Sequence, residues 1–243
     1  MSDISTRRQQ HGGPPLGVLA VISTALFLIG LFVAAAMAGR FMPAPTASAQ
    51  TIQGYFVNNR SAVRVAALFQ FGAAVPLAIY AATVSARLHN LGIRAPGATI
   101  ALVGGVLAST MLALSGLTSW VLSRADVVHD SALTRALHDL SYMTGGPGNV
   151  VFLGLLLPGV AVPAFFARLL PRPMVAVGLL LAVVAELSTL SIITDAAGYL
   201  LPIARFPALV WLIVAGFMLP RTRRRSTAPA PTGNRTPDAA LVS

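Results

Sequence analysis

Residues 174–194 read Met-Val-Ala-Val-Gly-Leu-Leu-Leu-Ala-Val-Val-Ala-Glu-Leu-Ser-Thr-Leu-Ser-Ile-Ile-Thr, with Glu186 as their only ionisable side chain. A helix rises about 1.5 Å per residue, and roughly 20 apolar residues cross the hydrocarbon core of a bilayer. The stretch is therefore a membrane-spanning helix. Five further apolar runs of similar length flank it, near 16–38, 61–85, 98–122, 143–167 and 199–219. Strand-type alternation with regular turn signals is missing, which argues against a β-barrel. The fold class is all-α: a polytopic transmembrane bundle of six spans.

Composition supports this reading. The chain has 243 residues, of which 56% are hydrophobic and only 10% charged. A soluble domain needs about 25% charged residues to cover its surface, so this chain belongs in a membrane. All 17 basic residues are arginine, and they sit at the ends of apolar runs, not in one patch. That distribution excludes a nucleic-acid footprint and sets topology instead. With the N-terminus in the cytoplasm, inner segments hold Arg7, Arg8, Arg87, Arg94, Arg168, Arg172, Arg221, Arg223, Arg224, Arg225 and Arg235. Outer segments hold only Arg40, Arg60, Arg64, Arg124, Arg135 and Arg205. Eleven against six places both termini in the cytoplasm and the chain in the cell membrane.

Residues 1–15 and 221–243 are rich in Pro, Gly, Ser, Thr and Arg and read as disordered cytoplasmic tails on a domain covering 16–220. The cluster Arg221, Arg223, Arg224 and Arg225 is topogenic and can meet anionic lipid headgroups at about 1 kcal/mol per charge. Arg7-Arg8 and Ala47-Ser48-Ala49 also fit a signal peptide, but the intervening run of 23 residues exceeds a usual signal core. Residues 39–60, with Pro43 and Pro45, read as a flexible connector long enough to hold a partly ordered lid. Short connections elsewhere predict that spans 2 and 3, 4 and 5, and 5 and 6 are antiparallel neighbours. Ala101, Gly105, Ser109 and Ala113 form a small-residue stripe on span 3 that lets another backbone approach.

The segment before span 4 differs from the other connections. Asp130 is a candidate helix cap, and apolar residues at 133, 137, 140 and 143 predict a short interfacial amphipathic helix with Arg135, His138, Asp139 and Tyr142 on its polar side. Gly145-Gly146-Pro147-Gly148 then predicts a kink or break. Irregular backbone at that depth lines a cavity or is buried in protein, or else marks the corner where the interfacial helix turns into the span.

Glu186 is the only glutamate in the chain. A carboxylate at membrane depth costs a few kcal/mol and ordinarily faces a partner or a wet cavity. It lies about 21 Å along the helix from Arg172, while Arg205 lies about 24 Å from Arg221 on the next span. Matching depths predict a Glu186–Arg205 ion pair. Gln70, Ser115, Ser119 and Asn149 fall in the same outer half and extend this into an outward-facing polar pocket with Glu186 at its floor. Two functions fit. One is binding or transport of a small solute, ion or proton, for which a homodimer is expected. The other is a structural or regulatory membrane protein with a Glu186–Arg205 packing lock and no ligand.

Other chemistry finds little support. His129, Asp130, His138 and Asp139, with Asp126, offer nitrogen and oxygen ligands, but their spacing enforces no metal geometry. Helix capping and pairing with Arg124 and Arg135 explain them more simply. Cysteine is absent, and no hydrolase elbow, zinc-protease motif, Walker loop or dinucleotide fingerprint occurs, so the chain reads as a non-enzyme without a cofactor.

Four short stretches carry a resemblance: Ala-Leu-His-Asp-Leu at 136–140, the glycine-rich 145–148, Leu-Leu-Pro-Arg-Pro at 169–173 and Arg-Phe-Pro-Ala-Leu-Val-Trp-Leu-Ile at 205–213. Together, across about 130–220, they resemble a recurring type of six-span membrane protein of high-GC actinobacteria. The resemblance implies a multi-pass bundle and no established activity, and it assigns no functional residues.

Overall fold

A computed structural model describes residues 13–221; the tails 1–12 and 222–243, including Arg223, Arg224 and Arg225, lie outside the described residues. Among the described residues every regular element is helical. In chain order these are α1 (Leu16–Ala38), α2 (Ala49–Asn58), α3 (Arg60–Asn90), α4 (Gly97–Val121), α5 (Ala125–Val128), α6 (Ser131–Met143), α7 (Asn149–Phe166), α8 (Arg172–Leu187) and α9 (Leu200–Met218). A π-turn over Thr144–Gly148 joins α6 to α7, and two 3₁₀ turns, Ser188–Ile192 and Asp195–Tyr199, lead from α8 to α9. Six helical runs are long and apolar enough to cross a membrane, in agreement with the six expected spans.

Helix α1 packs on α3 and on α9, α3 on α4, α4 on α7, and α7 on α9, so five helices close a ring. Helix α8 lies outside it against α7 and α9. The three expected antiparallel pairs are all in contact. The meeting of α1 with α9 is a long-range closure that short loops could not reveal.

Close backbone approach explains the high glycine and alanine content. On α4, Gly105 faces Ala81 of α3, while a Cβ on Gly104 would stand 2.6 Å from the Leu156 amide nitrogen of α7. Ala101 in the same stripe lies against Gly159 of α7. Small residues on two sides of α4 thus let it sit between α3 and α7. The principal apolar cluster around this contact contains Tyr80, Leu153, Leu156, Leu157, Val160 and Trp211.

One end of the bundle carries α2, α5 and α6 and is the capped end; the other carries the described chain termini. The connector expected to be flexible contains a helix: Ser48 accepts the Thr51 amide at 3.2 Å and starts α2, whose Ile52, Tyr55 and Phe56 are buried. Those three residues share an apolar cluster with Val63, Leu122 and Val128. Their spacing of three and four residues was readable, but the prolines before it masked the signal.

The chain also does not break at residues 145–148. Ser131–Phe166 is one helical run, and the π-turn absorbs the missing Pro147 N–H by widening the backbone locally. Asp130 caps α6 as expected, accepting from the amides of Ala132 at 2.9 Å and Leu133 at 3.0 Å. This helix packs on α4 and α2 and buries Thr134, His138 and Ser141.

Candidate functional site

The widened turn brings α6 against α4. Ser115 Oγ donates to the Ser141 carbonyl at 2.7 Å, and the Ser119 and Ser141 hydroxyls meet at 2.8 Å. Gln70 Nε2 on α3 donates to Ser115 Oγ at 2.9 Å. Gly145 must be glycine for this cluster, because a Cβ there would collide with Ser115 Oγ and stand 3.0 Å from Gln70 Nε2. The hydroxyls and the amide satisfy one another across three elements, as buried polar groups require.

Arg205 reaches this cluster from α9. Its Nη2 donates to the Gly145 carbonyl and, at 3.3 Å, to that of Gly146. Its guanidinium carbon lies 5.3 Å from the centre of the Phe27 ring on α1, within cation–π range. The Nε atom is buried without a hydrogen-bond partner, and no carboxylate pairs with Arg205 among the described residues. Two carbonyl dipoles and an aromatic face thus support a positive charge that no carboxylate among the described residues neutralises.

Arg205, Gln70, Ser115, Ser119, Ser141 and the two glycines line a chamber of about 360 Å³. Its remaining wall is apolar, with Phe27, Leu31, Met42, Leu201 and Phe206. A wider vestibule of about 790 Å³ lies at the capped end, lined by Arg135, Asp139, Asp195, Tyr199 and residues 44–46. Tyr142 and Gly198 belong to both walls.

A strap roofs these cavities. Arg135 donates from Nη1 to the Ala47 carbonyl at 3.0 Å and from Nη2 to that of Pro45 at 2.6 Å. His138 Nε2 donates to the Pro43 carbonyl at 3.1 Å. Three carbonyls of the α1–α2 connection are therefore tied to one face of α6.

The structure separates the residues expected to form one pocket. Gln70, Ser115 and Arg205 share the chamber. Asn149 is buried elsewhere, its Nδ2 donating to the Ala108 carbonyl at 2.8 Å and tying α7 to α4. Glu186 forms no ion pair and no hydrogen bond among the described residues and is exposed at the edge of the α7–α8 contact, its Oε1 beside Gly154 of α7. Both the Glu186 floor and the Glu186–Arg205 lock are corrected by this placement. The cause is helix rotation: α8 buries Val175, Gly178, Leu181, Ala182 and Ala185, and the next residue points about 100° away from Ala185. Depth was matched; direction was not.

The four candidate metal ligands have separate tasks. Asp130 caps α6, Asp139 pairs with Arg135 at 3.0 Å, His138 holds the strap, and His129 is exposed. No group of three or more His, Cys, Asp or Glu side chains gathers among the described residues. Nearby, Arg124 pairs with Asp126 at 3.3 Å. The hydrogen bond from its own backbone amide and that from Arg124 hold the Asp126 carboxyl below the usual aspartate range. Burial pushes the Tyr55 phenol up, and Arg40, stacked 5.6 Å from its ring centre, offsets part of that rise.

Ser141 and the Gly145 and Gly146 carbonyls were not anticipated as site groups. The Gly-Gly-Pro-Gly run was their signal, because three glycines and a proline in four residues marked a place where membrane-depth backbone leaves the α-helical pattern. No protein-family model, curated protein or solved structure matches the chain.

Proposed function

We propose that this protein is a multi-pass protein of the cell membrane, with cytoplasmic termini, that binds a molecule carrying an anionic group in the Arg205 chamber. One observation carries the proposal: a guanidinium at membrane depth has no carboxylate partner among the described residues and faces a chamber with free volume. A charge in such surroundings is expensive unless something compensates it, and two carbonyl contacts do so only in part. An anion supplies what is missing. The vestibule lies on the outward side under this orientation, and the chamber offers no nucleophile–base pair, in keeping with binding or transport and not catalysis.

A structural reading has its own support, because Arg205 already joins α9, the π-turn and Phe27. Thermal melting of purified protein separates the two. Benzoate, inorganic phosphate and dodecanoate serve as probes against wild type and Arg205→Gln. At least one should raise the wild-type Tm in proportion to the logarithm of its concentration, and that rise should vanish in the variant. A variant that melts lower while no probe shifts wild type would leave only the structural role.

A further inference from the structure

The chamber's apolar wall continues onto the lateral surface of the bundle. Phe206 lines the chamber and is 39% exposed, on the same stripe of α9 as Ile203 and Val210, which are 56% and 58% exposed. A residue that belongs to both the wall and the lipid-facing stripe marks the rim of a sideways mouth. Pro202 in the same wall is exposed and Leu31 on α1 is half-buried. Below this level α1 and α9 are closed, since a Cβ on Gly216 would stand 2.7 Å from the Gly17 amide nitrogen. The opening is thus confined to the half of the α1–α9 seam that contains Arg205.

We infer that the ligand is a single-chain amphiphile that enters from the bilayer, its anionic head on Arg205 and its chain against Phe27, Leu31, Leu201 and Phe206. This rests on the anion-binding reading above and names the ligand class. A small hydrophilic anion would satisfy the guanidinium but leave the apolar wall facing water or empty space. A lipid with two chains exceeds about 360 Å³, whereas one head and the first part of one chain fit and the rest leaves through the mouth. The chemistry accepts a carboxylate or a phosphate head. It disfavours a cation, because the only charged side chain in the chamber is Arg205.

The test is equilibrium binding to the full-length protein in nanodiscs of zwitterionic lipid, read by native mass spectrometry. Probes are dodecanoate, dodecyl phosphate, butyrate, inorganic phosphate and dodecyltrimethylammonium. The expected result is a one-to-one adduct with dodecanoate, dodecyl phosphate or both, at least tenfold tighter than with butyrate, inorganic phosphate and the cation. Arg205→Gln should weaken it tenfold or more, and Arg205→Lys should retain part of it, which covers the case in which the glutamine variant folds poorly. Leu31→Trp, which fills the apolar wall, should reduce the long-chain adduct alone. If butyrate or inorganic phosphate binds as tightly as its long-chain counterpart and Arg205→Gln abolishes that binding, the amphiphile inference falls while the anion site stands. If no anion binds, or binding ignores Arg205, both fall.

Discussion

Gly216 of α9 and Gly17 of α1 cross so closely that a Cβ on Gly216 would stand 2.7 Å from the Gly17 backbone nitrogen. The crossing lies eleven residues, or about 16 Å, from Arg205 along α9. It pins the first span to the last and defines where their seam is shut. Neither backbone has a side chain that can yield, so Gly216→Val should strain the contact by about 1–3 kcal/mol. The expected outcome is a fall in Tm of several degrees and a less specific α1–α9 seam, checked by thermal unfolding and by disulfide trapping of cysteines introduced along the two helices.

Gly145 and Ser115 make a second tight contact, and this one is separable. Gly145→Ala should destabilise because the new methyl group collides with Ser115 Oγ and crowds Gln70 Nε2. Ser115→Ala should cost about 1–3 kcal/mol by leaving Gln70 Nε2 without its partner and removing one of the donors to the Ser141 carbonyl. The double variant should lose less than the sum, since removing the hydroxyl makes room for the methyl group. A double-mutant cycle on unfolding free energy checks this, and strict additivity would refute the packing argument.

The strap over the vestibule depends on Arg135. Replacing it with alanine removes donors to the Pro45 and Ala47 carbonyls and the partner of Asp139. Arg135 is partly exposed, so the global stability loss should be small. Amide hydrogen exchange should rise selectively in residues 41–48, with α3 and α4 unchanged. Uniform exchange across the bundle would contradict a local tie.

Acid sensitivity should include Asp126. Its carboxyl is held below the ordinary aspartate value of 3.8 by its own backbone amide and by Arg124. The sign follows from linkage: stability from this group is present above the unfolded value and is lost as pH falls through the lower folded value. The side chain is solvated, so the effect is a small slope on the acid side. Carboxyl NMR should place the Asp126 midpoint below 3.8. Arg124→Gln should move it upward by removing one of the two causes.

How far the sequence could be read depends on the kind of information required. Span number and length follow from hydropathy alone, because the bilayer fixes both, and 16–38 agrees with α1 to the residue. Asp130 as a cap was legible from local chemistry. Gln70, Ser115 and Arg205 were brought together by depth, which counts residues along an axis. Whether two side chains at one depth face each other requires the rotation of each helix about that axis. Apolar runs carry little rotational signal when lipid and protein contacts are both hydrophobic. The π-turn was legible as an irregularity, but its carbonyls acquired a role only once α9 was placed beside it.

Glu186 supplies the sharpest test of that distinction. The residue is exposed on α8, as are its chain neighbours Val183 (56%) and Leu187 (48%), and its carboxylate lies beside Gly154 of α7 with no polar partner among the described residues. A charge at an exposed edge of the bundle without a polar partner opposes insertion and contributes no ion pair or hydrogen bond to the ring of helices. Glu186→Leu should therefore leave Tm unchanged or raised and leave probe binding at Arg205 intact, whereas Arg205→Gln should abolish binding. Paired measurements of Tm and dodecanoate binding on the two variants decide the matter. If Glu186→Leu lowered both, the carboxylate would have to reach Arg205 in solution, and α8 would be rotated from the position described.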